Sequence, residues 1–255
     1  FQIMLHIKKT TYFLILLIAF SSCKKDDDQK AINSPGGSVG SLSKALLSDA
    51  QYTSMRLDLY FEQNNAPTQE AVDSLEAFLS KRLSKPNGIS VNLIEIPDQS
   101  QSSFSLDELK NIESSYRNTQ TSKSEITAYL FYANGDYSAN SNNSQTLGIA
   151  YGSSSMVVFG KTIQENTGGL TQPSTALVEQ SVMKHEVGHI LGLVNLGAPM
   201  QTNHQDTEHG KHCINENCLM YWATETGNFI SNLTGSSPPQ LDANCIADLR
   251  ANGGA

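Results

Sequence analysis

The chain has 255 residues, with 25 acidic against 17 basic side chains, a net charge of -8 and 38% hydrophobic residues. That is enough for one enzyme-sized core, and it excludes both a disordered tail and a membrane bundle. Lys and Arg form no stripe able to neutralise a run of phosphates, so nucleic acid is not expected as a partner.

At the start, Lys8 and Lys9 precede an apolar run over 12–20, followed by Ser21, Ser22 and Cys23. The run is far shorter than the ~20 residues of a membrane-spanning helix, and its basic start and small-residue end are those of a secretory leader. It resembles a bacterial lipoprotein signal, in which cleavage falls just before a cysteine that is then lipidated. Cys23 stands in that place, although Phe20 stands where such signals most often have Leu. The resemblance implies a leader over 1–22, a lipid on Cys23 that anchors the chain to a membrane, and a place at the outer membrane or cell surface of a Gram-negative bacterium. Lys24, Lys25, Asp26, Asp27 and Asp28 lead into a Ser/Gly/Asn-rich stretch, read as a flexible tether over 23–44. The charged cluster is either a surface-export signal or a solvated linker.

Met55, Leu57, Leu59 and Phe61 alternate with polar residues or tyrosine, the period of a half-buried strand. Val72, Leu75, Phe78, Leu79 and Leu83 then recur at helical spacing until Pro86 and Gly88 stop them, and 89–96 reads as a second strand. Ser105 with Glu108 predicts a capped helix to about Tyr116, and 126–132 a strand that Asn134, Gly135 and Asp136 turn. Two short strands, 147–151 and 155–159, follow a polar loop, and such a strand is suited to border a cleft. Pro173 and Ser174 open a long helix whose Leu177, Val178, Val182, Met183, Val187, Ile190, Leu191 and Leu193 leave few polar faces, so it should be buried.

Within that helix stand His185, Glu186, Val187, Gly188 and His189. Two imidazoles four residues apart share one helix face and can bite one ion, and zinc accepts neutral imidazole nitrogen at about 2.0 to 2.1 Å. Glu186 would lie beside the ion, placed to take a proton from water and return it to a leaving amine. Buried without a partner these groups would cost several kcal/mol, and a metal supplies one.

Gly192 completes His-Glu-x-x-His-x-x-Gly, and here the sequence resembles the metzincin clan of zinc peptidases, whose glycine turns the chain toward a third ligand. That ligand is expected at 195, where this chain has Asn195. Further on, His212, Cys213, Cys218 and Met220 form His-Cys-x4-Cys-x-Met, similar to the continuation of the archaemetzincin signature displaced by an insert over 196–211. The resemblance implies His212 as third ligand and Met220 as the methionine beneath the zinc ligands. His204, His209 and Glu208 remain alternatives, and Tyr221 and Trp222 carry no implied role. The fold implied is an α/β (α+β) metzincin-like zincin. It has a mixed twisted sheet, an active-site helix and a small C-terminal subdomain below the cleft, with subdomains over about 45–193 and 194–255.

With Cys23 assigned to lipid, Cys213, Cys218 and Cys245 remain. In an oxidising compartment one pair is expected to be bridged. The resemblance implies a second, structural zinc that uses a later Cys-x-x-Cys, but this chain has only Cys245 there, and a disulfide is the favoured expectation. Pro238 and Pro239 should open a last helix carrying Leu241, Cys245, Ile246 and Leu249. The whole points to a zinc endopeptidase acting on protein or peptide, with an inactive zinc-binding lipoprotein as the alternative that Asn195 suggests.

Overall fold

The computed structural model describes residues 37–141, 144–233 and 237–255; the leader, Cys23 and the charged cluster behind it lie outside them. Among the described residues no helix is long and apolar enough to cross a membrane. In chain order the elements are α1 (Ser43–Leu47), β1 (Ser54–Glu62), α2 (Gln69–Arg82), β2 (Ile89–Ile96), β3 (Ser103–Phe104) and α3 (Leu106–Tyr116). Next come β4 (Glu125–Ala133), β5 (Asp136–Tyr137), β6 (Gly148–Ala150), β7 (Ser155–Phe159), α4 (Gly160–Glu165) and α5 (Thr175–Ile190). The C-terminal part holds β8 (Gln205–Asp206), β9 (His212–Cys213), a 3-10 turn (Trp222–Glu225), α6 (Gly227–Asn232) and α7 (Ala243–Ala251).

The main sheet runs β2-β1-β4-β7-β6. The first four strands are parallel, and β6 is antiparallel to β7 at the edge. Strand alternation divides the core in two. Leu57, Leu59, Leu130 and Met156 face α2 and α5, while Tyr60, Tyr129, Phe131 and Val157 face Leu109 and Ile112 of α3. With both sheet faces covered, β4 and β7 are buried almost throughout, as parallel strands require.

Caps set the helix starts. The Ser105 and Glu108 side chains each hold the other's backbone N–H, so the expected capping box forms. At α2 the Thr68 hydroxyl accepts from Ala71 N–H, and Thr68 N–H and Oγ1–H donate to Glu179 Oε2 at 3.0 and 2.5 Å. Glu179 lies on α5 and also accepts from the Tyr132 hydroxyl, so one buried carboxylate ties α2, β4 and α5 together.

The last helix starts later than the sequence suggests. Proline 239 disfavours helix at 238. The chain there is extended instead, Leu219 N–H donates to Gln240 O at 2.9 Å, and α7 begins at Ala243 under an Asp242 cap.

Candidate active site

Helix α5 is enclosed on every side: all its residues from Ala176 to Ile190 are buried, the polar Glu179, Gln180, Lys184, His185, Glu186 and His189 included. Ser174 caps it, accepting from Leu177 N–H at 3.2 Å. Gly188 leaves room beneath the two histidines, because a Cβ there would lie 2.3 Å from Met220 Sδ. So Met220 packs under the helix turn that carries His185 and His189. At Gly192 φ is +84°, and a Cβ would meet Ala198 N at 2.6 Å; the glycine makes the sharp exit that the motif implies.

Val194 and Asn195 follow with positive φ, and Asn195 is exposed on the surface. The insert folds as a hairpin in which β8 pairs with β9, Asp206 opposite His212. That hairpin returns His212 to the other two imidazoles, with ring centroids 5.3 Å from His185 and 5.1 Å from His189. The competing candidates fall elsewhere. Glu208 is exposed, His209 stacks on Trp222 at 4.3 Å, and His204 is buried against Asp248 and Cys213.

His185 Nδ1 donates to Leu219 O at 2.7 Å and His212 Nδ1 to His209 O at 2.6 Å. Those carbonyls keep the proton on Nδ1 and leave the lone pair on Nε2. His185 and His189 Nε2 are 3.0 Å apart, and His212 Nε2 is buried with no hydrogen-bond partner. The three Nε2 atoms thus converge on a dry space that a cation would fill. Three neutral imidazole nitrogens are a donor set that zinc takes, so these residues fit the ion.

Beside them, Glu186 is fully buried and neither carboxylate oxygen meets a hydrogen-bond partner. Burial, then the charge of Glu225, pushes its carboxyl well above the usual range. Burial likewise lowers His189 to about 4. His212 is raised in spite of burial, because it faces Glu225.

Sequence reasoning missed Glu225. Its oxygens lie 3.6, 3.8 and 3.5 Å from Nε2 of His185, His189 and His212. Burial opposes its ionisation, yet the three rings together hold its carboxyl far below the usual range. No periodicity marks position 225; an acidic residue soon after Met220 was the only available signal.

The site opens into a cleft of ≈ 460 Å³ bordered by Gly148, Ile149 and Ala150 of β6 on one side and Lys211, His212 and Glu225 on the other. Of the two short strands expected after the polar loop, it is the first, β6, that borders the cleft.

The profile of the reprolysin-like metallopeptidases of family M12B matches residues 66–194, a span that holds four of the main sheet's five strands, β2, β4, β6 and β7, and all of α5. The chain belongs to this family. It is therefore a zinc metallopeptidase, a hydrolase of peptide bonds in protein or peptide substrates. The reprolysin-like match ends before His212, whose place stands on the geometry alone. Among solved structures, archaemetzincin from Methanopyrus kandleri is similar at 16% identity and TM-score 0.48, over 78% of this chain and 96% of that one. Metalloproteinase-II from Bacteroides fragilis is similar at 16% identity and TM-score 0.43, over 88% of this chain but 60% of its own length. A search of curated proteins found no match.

The reprolysin-like chain carries a second donor group. Cys213, Cys218 and Cys245 are all buried free thiols, so the expected disulfide is absent. Cys218 and Cys245 Sγ are 3.6 Å apart, well beyond the ~2.05 Å of a bridge. His204 Nδ1 lies 3.4 Å from Cys213 Sγ, and its Nε2 is 2.8 Å from the Asp248 carboxylate. Ligand atoms of His204, Cys213, Asp242 and Cys245 all lie within 4.8 Å of one another. Hydrogen bonds from the Cys213 and Cys245 thiols lower Cys218 to about 4.

Proposed function

We propose that the chain is an endopeptidase in which His185, His189 and His212 hold the zinc and Glu186 is the general base. The observation that carries this reading is the buried Glu186 carboxylate, without a hydrogen-bond partner, beside three imidazoles whose Nε2 atoms converge. Zinc held there supplies Lewis acidity, lowering the pKa of water toward ~7 and polarising a peptide carbonyl. Glu186 takes the proton of the attacking water and passes it to the leaving amine, in a pocket where burial raises its proton affinity. The His185 and His212 imidazoles are kept in one tautomer by Leu219 O and His209 O, and Met220 packs beneath the helix turn that carries His185 and His189. An extended substrate adds to the outer edge of β6, the last strand of the sheet. The cleft is lined from both sides of position 194, which supports subdomains over 45–193 and 194–255.

The active reading is supported over the inactive alternative by the exposure of Asn195 and by the His212 ring, 5.3 and 5.1 Å from those of His185 and His189. Full-length protein with Glu186→Gln should keep its zinc and lose cleavage of an unfolded protein by about 10²–10⁴-fold. Wild-type cleavage by that variant would sink the mechanism.

The leader and Cys23 support a lipid-anchored enzyme at the surface of a Gram-negative bacterium. The second donor group supports a structural zinc held by His204, Cys213 and Cys245, with Asp242 beside them and the Cys218 thiol, 3.6 Å from Cys245, as a further donor. Thiolate donors around a tetrahedral ion with bonds near 2.3 Å stand about 3.8 Å apart, against 3.6 Å for Cys218 and Cys245. The Asp248 carboxylate behind His204 is the outer partner that zinc-binding imidazoles take.

A further inference from the structure

We propose that Glu225 is a fourth protein ligand of the active-site zinc, so that the resting enzyme has no open coordination position. This rests on the three-histidine site above. Catalytic zinc ordinarily keeps three protein ligands and one open position, whereas four protein ligands close a site. Donors around one tetrahedral ion with bonds near 2.1 Å stand about 3.4 Å apart. The Glu225 oxygens lie 3.5, 3.6 and 3.8 Å from the three Nε2 atoms, and all four ligand atoms fall within 4.8 Å of one another. Glu225 thus stands at the fourth corner, and Glu186 does not belong to that group.

The backbone fixes this placement. Glu225 O accepts from Leu147 N–H at 2.8 Å, Thr226 bridges Thr146, and Gly227 N–H donates to Gln145 O at 2.9 Å. The segment is therefore stitched to the stretch that enters β6, the cleft's edge strand. The Glu225 side chain keeps 28% of its surface exposed, while those of His185 and His189 keep 0% and 7%. It closes the group from the cleft side, the side from which a substrate carbonyl arrives. Turnover then requires Glu225 to withdraw and give up its position to water or to the carbonyl oxygen. One oxygen ligand replaces another in that exchange, and no electron or proton is transferred.

The test uses the full chain loaded with zinc or with cobalt(II), comparing wild type, Glu225→Gln, Glu225→Ala and His212→Ala. Zinc affinity is read by competition with a chromogenic chelator. Access to the fourth position is read from azide binding to the cobalt form, with His212→Ala as the background for the second group. In Glu225→Ala zinc affinity should fall about tenfold or more and azide should bind about tenfold more tightly, with Glu225→Gln shifted the same way. Gln keeps the size of the side chain if alanine disturbs the turn. Affinity and azide binding within about twofold of wild type in both variants would overturn the proposal and leave the three-histidine reading standing. If His212→Ala held zinc as tightly as wild type, that reading would fall and this one with it.

Discussion

Changing Gly148 to Ala probes how tightly Glu186, the proposed general base, is seated. A Cβ at 148 would lie 2.6 Å from Glu186 Oε1 and 2.7 Å from Val182 Cγ1, so the carboxylate must give about 0.8 Å to regain contact at 3.4 Å. Helix α5 has little freedom to supply it. Glu179 binds it to Thr68 and Tyr132, and Met220 Sδ fills the space under Gly188. The displacement therefore falls on Glu186 itself. A reacting group misplaced by about 1 Å costs up to ~10²-fold in rate, and overpacking a core costs about 1–3 kcal/mol of stability. For Gly148→Ala we expect kcat to fall about 10- to 100-fold, or about 1.4–2.7 kcal/mol of barrier. KM and bound zinc should stay near wild type. Steady-state cleavage of a quenched fluorescent peptide, zinc content by mass spectrometry and a thermal melt read the three quantities. A kcat within about threefold of wild type would refute the argument that β6 fixes the Glu186 position.

His212→Ala should lose active-site zinc and cleavage together, while His209→Ala, which removes an exposed ring stacked on Trp222 and paired with Asp206, should change either only modestly; equilibrium dialysis beside the peptide assay compares them. His204→Ala and Cys218→Ser should each release one zinc per chain. If free zinc stands about 1,000-fold above its Kd, the lost binding is worth about 4 kcal/mol and Tm should drop by about 8–16 °C in differential scanning calorimetry. An unchanged Tm and zinc content would remove the structural site. Cys23→Ser should move the protein from the membrane pellet to the soluble fraction on cell fractionation, and equal retention in the pellet would refute the anchor.

Helix α5 and its first two histidines were legible because every signal involved is local: the Ser174 cap, the apolar periodicity and the four-residue spacing. Strands β2 and β7 were read at their observed limits for the same reason. The insert was harder. Its length hid the third imidazole, and only the β8–β9 pairing shows that the chain comes back with His212 at the metal group and His209 outside it. The disulfide expectation failed because counting thiols left out an imidazole. His204 lies far from Cys245 in sequence, and nothing local tells that the two share a buried group. Glu225 was out of reach for a similar reason, since its place is set by pairing with residues 145–147, a contact between distant segments.

Strand β9 contributes His212 to one donor group and Cys213 to the other, both buried. Successive residues of a strand face opposite ways, and a slip of one residue exchanges the faces. The hairpin turn over 207–211 can therefore grow or shrink over evolutionary time with little effect. One codon gained between 212 and 213 is different: it would turn the imidazole and the thiol to the same face, so that one donor group or the other must lose its member.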